Sequence, residues 1–240
     1  MIQEPKNWNS KALYLLGMWL WKQKEYGHAL LCLHGSQWGL KIGTQLAITW
    51  EDVINTEDGS CKHELWLPKN EVTLRPLGHY SIRKNLETAY SMLPIKSSDD
   101  SIYMNYKTGK PLTSSTLNRE LQRFSQKFTQ EMKEKTSVTL NFKPLKTNAF
   151  EIAWALDVVK AYNYSKQVFI ALSNFMGHRT VKDTVELLGV EPIEKIVFEF
   201  DYLDTMPDFR DFDTINLKED LFKYVQSNFL ISFDKDGNLF

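Results

Sequence analysis

Apolar and polar positions fall into blocks along the chain, and the first two blocks set the pattern. Leu13-Tyr14-Leu15-Leu16-Gly17-Met18-Trp19-Leu20-Trp21 and Ala29-Leu30-Leu31-Cys32-Leu33 are apolar stretches separated by the polar break Lys22-Gln23-Lys24-Glu25. Each falls well short of the ~18 residues a membrane span needs, so they predict two packed helices. Beyond Gly39, Leu46, Trp50 and Val53 recur at helical spacing, which places Lys41 at a helix start. Glu57-Asp58-Gly59-Ser60 is turn chemistry. Residues 62–67 and 72–77 then read as extended segments joined by Pro68-Lys69-Asn70-Glu71, a small β-ribbon. Pro76 cannot donate to a ladder and should end its strand or lie on an edge. Helical patterning returns over 81–93. Leu117, Leu121, Phe124 and Phe128 then form an i, i+4, i+7, i+11 stripe behind the cap supply Thr113-Ser114-Ser115-Thr116. Further helices are predicted over about 145–162, through 166–175 and over 181–188, the last ended by Gly189 at a C′ position. The sum is a mainly α (α+β) domain with a small antiparallel β-sheet over residues 1–190, followed by a tail, 191–240.

Composition agrees with a folded chain. The apolar fraction is 42% and aromatics reach 13%, with seven tryptophans, side chains too large to leave idle in solvent. Cys32 lies in an apolar run and Cys61 in a polar loop, with neither metal spacing nor a disulfide framework. The polar start, Met1 to Lys11 with Pro5, lacks the basic and apolar regions of a secretory signal, so the expectation is a cytoplasmic protein with no membrane contact. The net charge of −1 argues against a nucleic-acid partner only as an average. Residues 191–240 hold 12 acidic and 5 basic side chains, net −7, which leaves 24 basic and 18 acidic, net +6, on residues 1–190. An acidic tail on a mildly basic body is the pattern, and a solvated tail with no partner is its plainer reading.

Five segments, taken in order, resemble the catalytic domain of the tyrosine recombinases, the phage-integrase family. Gly39-Leu40-Lys41-Ile42-Gly43-Thr44-Gln45-Leu46-Ala47-Ile48-Thr49-Trp50-Glu51-Asp52-Val53 is similar, without a gap, to the family's Gly-Leu-Arg-Ile-Ser-Glu-Leu-Leu-Ala-Leu-x-Trp-x-Asp-Ile, with Lys41 at the first arginine. The β-ribbon ending in Arg75-Pro76-Leu77 resembles the family's Val-Pro-Leu ribbon, and Lys69 falls within a residue of its catalytic lysine. Ile102-Tyr103-Met104, Gly109-Lys110-Pro111 and Leu117 match its spacer segment. Lys143-Pro144-Leu145-Lys146 looks like the His-x-x-Arg box; lysine is tolerated at its first position and is a departure at its second. Met176-Gly177-His178 with Val181 and Thr184 resembles the Leu-Gly-His box, whose tyrosine lies nine residues beyond the histidine; here that residue is Leu187. The likeness covers about residues 10–190 and includes no core-binding domain.

The resemblance implies a recombinase-like helical domain that binds the DNA phosphate backbone without cofactor or metal. In the family, two arginines and a histidine grip the scissile phosphate, a lysine protonates the leaving oxygen and a tyrosine attacks phosphorus. Carried over residue by residue, the site is Lys41, Lys69, Lys143, Lys146 and His178, with Leu187 in the nucleophile's place. Arginine presents a rigid fork that donates two parallel hydrogen bonds, whereas lysine is a flexible point charge. Leucine carries no nucleophilic atom. Among later tyrosines, Tyr202 is the alternative nucleophile, delivered from a neighbouring subunit as in some family members.

For each residue a plain reading stands beside the functional one. The lysines are equally readable as solvated side chains, Lys69 as a ribbon-tip lysine and His178 as a capping or core histidine, while Trp50 and Phe150 are core. Three functions follow: a DNA-binding protein that has lost strand cleavage; an active recombinase using Tyr202 in trans; or an interaction module that associates with itself or another recombinase subunit, its acidic tail folded over the basic face.

Overall fold

A computed structural model describes residues 7–65, 75–76, 80–136 and 141–190; Lys69, Tyr202 and the acidic segment 191–240 lie outside the described residues. The chain divides into two compact units, Met1–Asp157 and Val158–Phe240. The fold is mainly helical with small antiparallel sheets.

The first unit opens with the two expected helices, α1 (Ser10–Lys22) and α2 (Tyr26–His34), packed on each other. Asn9 caps α1, its side-chain oxygen accepting from the Ala12 amide at 2.8 Å. The single helix predicted beyond Lys41 is instead two, α3 (Ile42–Leu46) and α4 (Trp50–Val53). The cause lies at Thr49, which is extended at φ −105, ψ 170. Asp52 Oδ2 accepts from the Thr49 amide at 2.8 Å and from its hydroxyl at 2.9 Å, a capping box that starts a new helix rather than continuing the old one. Ile102 N donates to Ile48 O at 3.0 Å and Trp50 N to Asp100 O at 3.1 Å, so this break is tied into the 98–102 segment.

Strand β1 (Glu64–Leu65) pairs antiparallel with β2 (Arg75–Pro76), with Glu64 opposite Pro76 and Leu65 opposite Arg75. Pro76 is the last residue of β2, as its missing N–H requires. After α5 (Tyr80–Met92), β3 (Met104–Asn105) and β4 (Lys110–Pro111) form a second pair, Met104 opposite Pro111 and Asn105 opposite Lys110. β3 packs on α2 at Gly27, where a Cβ would collide with the Met104 carbonyl. In α6 (Ser114–Thr136) the predicted stripe is fully inward: Leu117, Leu121, Phe124 and Phe128 are all buried. With Leu13, Leu16, Leu20, Leu30, Leu31, Trp50, Tyr103 and Phe150 they build one core, each large aliphatic side chain stabilising the fold by about 1.5–3 kcal/mol through burial. α7 (Ala149–Ala161) starts later than predicted, after a segment of irregular backbone at 143–148.

In the second unit α8 (Lys166–Met176) packs on α9 (Val181–Leu188), burying Val168, Phe169, Leu172 and Met176 of α8 and Thr184 and Leu188 of α9. Gly189 ends α9 in the left-handed region at φ 66, donating to Val185 O at 2.9 Å. Among the described residues no helix is long and apolar enough to cross a membrane.

Candidate functional site

Lys41 sits at the N-cap of α3, in extended backbone at φ −61, ψ 145. A five-residue helix has almost no stability of its own, so packing must hold this lysine in place. The loop before it is held from both sides. The Gln45 side-chain amide, wholly buried, donates to Gly35 O at 2.8 Å and to Leu40 O at 2.9 Å. Gly39, at φ +59, lies against the Trp154 indole so closely that a Cβ would overlap the ring, and a Cβ on Gly35 would crowd Phe150. Phe150 and Trp154 lie on successive turns of α7, so that helix is the floor on which the Lys41 loop rests.

The second box leads into the same helix. Lys143 and Lys146 belong to the irregular segment before α7 rather than to its first turn. Pro144 rules out a helical amide there and biases Lys143 to extended backbone. The segment is fixed nonetheless. Phe142 stacks on Trp8 with centroids 4.5 Å apart, and the Trp8 indole N–H donates to Lys143 O at 2.8 Å. Leu145 is fully buried, Thr147 N donates to Asn118 Oδ1 at 2.8 Å, and Lys146 O accepts from Ala149 N at 3.0 Å. The fold thus brings the Lys41 loop and the Lys143–Lys146 segment onto one helix, α7.

The three lysines share a second property. All are exposed, and none makes a side-chain hydrogen bond or ion pair among the described residues. Their backbones are pinned while their ammonium groups brace no other described residue. Two surface hollows lie elsewhere and carry carboxylates: one of 710 Å³ is edged by Glu51, Asp52, Glu57 and Asp58, and one of 530 Å³ by Glu25, Glu131 and Glu134. In the first, a hydrogen bond that the protonated Glu51 carboxyl donates to Asp99, with the Asp99 charge beside it, raises the Glu51 pKa above its ordinary value, a sign of crowded negative charge. Neither hollow suits a small anion, and no lysine of the three lines them. Among the described residues no group of His, Cys, Asp and Glu is placed to hold a metal.

His178 belongs to the second unit, where it follows the stop of α8. Gly177 adopts φ 70, ψ 32; its amide donates to Asn174 O at 3.2 Å and the His178 amide to Ser173 O at 2.9 Å, the two bonds of a Schellman motif. The ring is half-buried, with Nδ1 2.8 Å from the hydroxyl of fully buried Thr184. Thr180 and Asp183 close a capping box at the start of α9, so the turn bearing the imidazole is held at both ends. Leu187 lies half-buried on α9 and offers only methyl groups. The plain reading of His178 as a capping histidine holds for its backbone, while its Nε2 has no partner among the described residues.

Sequence reasoning missed the residues that hold the lysines: Trp8, Gln45, Asn118 and Trp154. Trp8 carried the one available signal, a tryptophan stranded in a polar stretch, and it is 3% exposed. Gln45 and Asn118 act through backbone carbonyls and amides, which leave no trace in a residue pattern. Comparison with protein-family models, with curated proteins and with solved structures finds no match to this chain.

Proposed function

We propose that this chain has a tyrosine-recombinase-like catalytic fold and binds the DNA phosphate backbone through Lys41, Lys143 and Lys146 without cutting it. One observation carries the reading: three exposed lysines at the family's phosphate-gripping positions have fixed backbones and no side-chain partner among the described residues. Exposed lysines on two segments that meet α7 suit an extended polyanion, whose phosphates take point charges one by one. The resemblance adds Lys69 and His178. Loss of cutting follows from Leu187, which has no nucleophilic atom, and from lysine in place of both arginine forks, each lost donor costing ~10²–10³ in rate.

Gel-shift titration of a mixed-sequence duplex across a salt series tests the binding. Affinity should fall with salt by a logarithmic slope of roughly 0.9 per phosphate contacted, and each of Lys41→Ala, Lys143→Ala and Lys146→Ala should make that slope shallower by about one contact. Absence of binding at low salt would end this reading. A nicked suicide duplex tests the loss of cleavage; a covalent adduct that disappears in Tyr202→Phe would replace it with recombination in trans.

A further inference from the structure

Trp8 lies 135 residues from the box it touches, and its two contacts act on adjacent residues: its ring stacks on Phe142 at 26° between planes, and its indole N–H donates to the carbonyl of Lys143. That carbonyl precedes Pro144, which has no amide to continue any ladder, so beyond the bridge residue Phe142 the backbone at 143–144 has no regular structure to hold it. Among the described residues, Trp8 provides the hydrogen bond that fixes the Lys143 carbonyl. Asn118 performs the matching task four residues on, at the Thr147 amide. Trp8 is itself immobilised, buried to 3% and followed directly by Asn9, which caps α1.

From this we propose that Trp8 is a positioning residue: it clamps the Phe142–Lys143 backbone so that the Lys143 ammonium is held out toward the DNA backbone. The inference rests on the phosphate-binding reading and names one device within it. Trp8 touches no DNA; it acts through Lys143. Free to flex, the segment would still carry its charge, but the lysine would lose ordering entropy on each encounter, and affinity would fall without any phosphate contact being deleted.

Trp8→Phe retains a ring to stack on Phe142 and removes only the donor. Duplex binding is measured for wild type, Trp8→Phe, Lys143→Ala, Lys41→Ala, and the doubles Trp8→Phe/Lys143→Ala and Trp8→Phe/Lys41→Ala, with circular dichroism confirming the fold. Trp8→Phe should weaken binding about 3–10-fold. The double with Lys143→Ala should bind no more weakly than Lys143→Ala alone, and the double with Lys41→Ala should lose the product of its two single losses. Independent, multiplicative losses in the Lys143 double would overturn the positioning role while leaving the DNA-binding reading intact. Wild-type protein that binds no duplex would overturn both. Should Trp8→Phe unfold the chain, Phe142→Leu, which removes the stacking partner, takes its place under the same two outcomes.

Discussion

Lowering the pH should unfold this protein through His34 before its carboxylates titrate. His34 ends α2, is fully buried, stacks on Trp38 with centroids 5.9 Å apart, and neither ring nitrogen has a hydrogen-bond partner. Burial pushes its pKa down from 6.5 to about 3. The C-terminal end of a helix favours a cation by at most ~2 kcal/mol, whereas a depression of this size corresponds to roughly 5 kcal/mol against the charged form, so desolvation wins. Because the folded-state pKa lies below the unfolded one, the contribution is complete above 6.5 and is lost as pH falls, levelling off only near 3. Between pH 7 and pH 5 the unfolded imidazole takes up its proton and the folded one does not, a loss of about 2 kcal/mol. His28 acts in the same direction, lowered by burial, but less steeply, since Glu120 Oε2 at 3.1 Å and Glu25 Oε2 at 3.9 Å both favour its charged form. The variant His34→Phe retains a ring for Trp38 and takes no proton. Urea unfolding at half-unit steps from pH 7 to pH 5 should show its stability declining by about 2 kcal/mol less than that of the wild type, the residual slope belonging to His28. Parallel profiles would refute the assignment of the decline to His34.

Three further outcomes follow from the site. Gly39→Ala puts a Cβ into the Trp154 ring at a positive φ, and should cost about 3 kcal/mol in urea unfolding; a cost under 1 would mean the Lys41 loop does not rest on α7 as described. Gln45→Leu leaves the Gly35 and Leu40 carbonyls unpaired and should cost roughly 2–4 kcal/mol by the same measurement, with near-neutral stability counting against its bracing role. Leu187→Tyr alone should form no adduct with a nicked suicide duplex, while the combination with Lys41→Arg and Lys146→Arg should form one detectable by gel; equal adducts from both would show that lysine serves as well as the arginine fork.

The parts of the fold legible in the sequence are those governed by burial periodicity. The stripe from Leu117 to Phe128 reads directly as the inner face of α6, and the two apolar blocks read as α1 and α2. Periodicity misled at 41–53, because Leu46, Trp50 and Val53 keep their spacing across a break made by one side chain, Asp52, gripping Thr49. It misled again at 145–148, where Pro144, the buried Leu145 and the Asn118 bond to Thr147 outweigh helical propensity. The lysines could be found by order and spacing. What keeps them in place could not, since Trp8 and Trp154 act across 135 and 115 residues of chain by contact with carbonyl and Cα surfaces that any sequence provides.

The turn at Gly177 has a consequence for reading the Gly-His pair. Its left-handed backbone admits little but glycine, and the next amide must reach back to Ser173 whatever side chain follows. The glycine at this corner is therefore kept by the need to reverse the chain between α8 and α9, whatever the histidine after it does. Glycine there is architectural, and weighs little as a sign of chemistry at His178. The ammonium groups of Lys41, Lys143 and Lys146, which brace nothing among the described residues, are the better witness, because the described fold makes no demand on them.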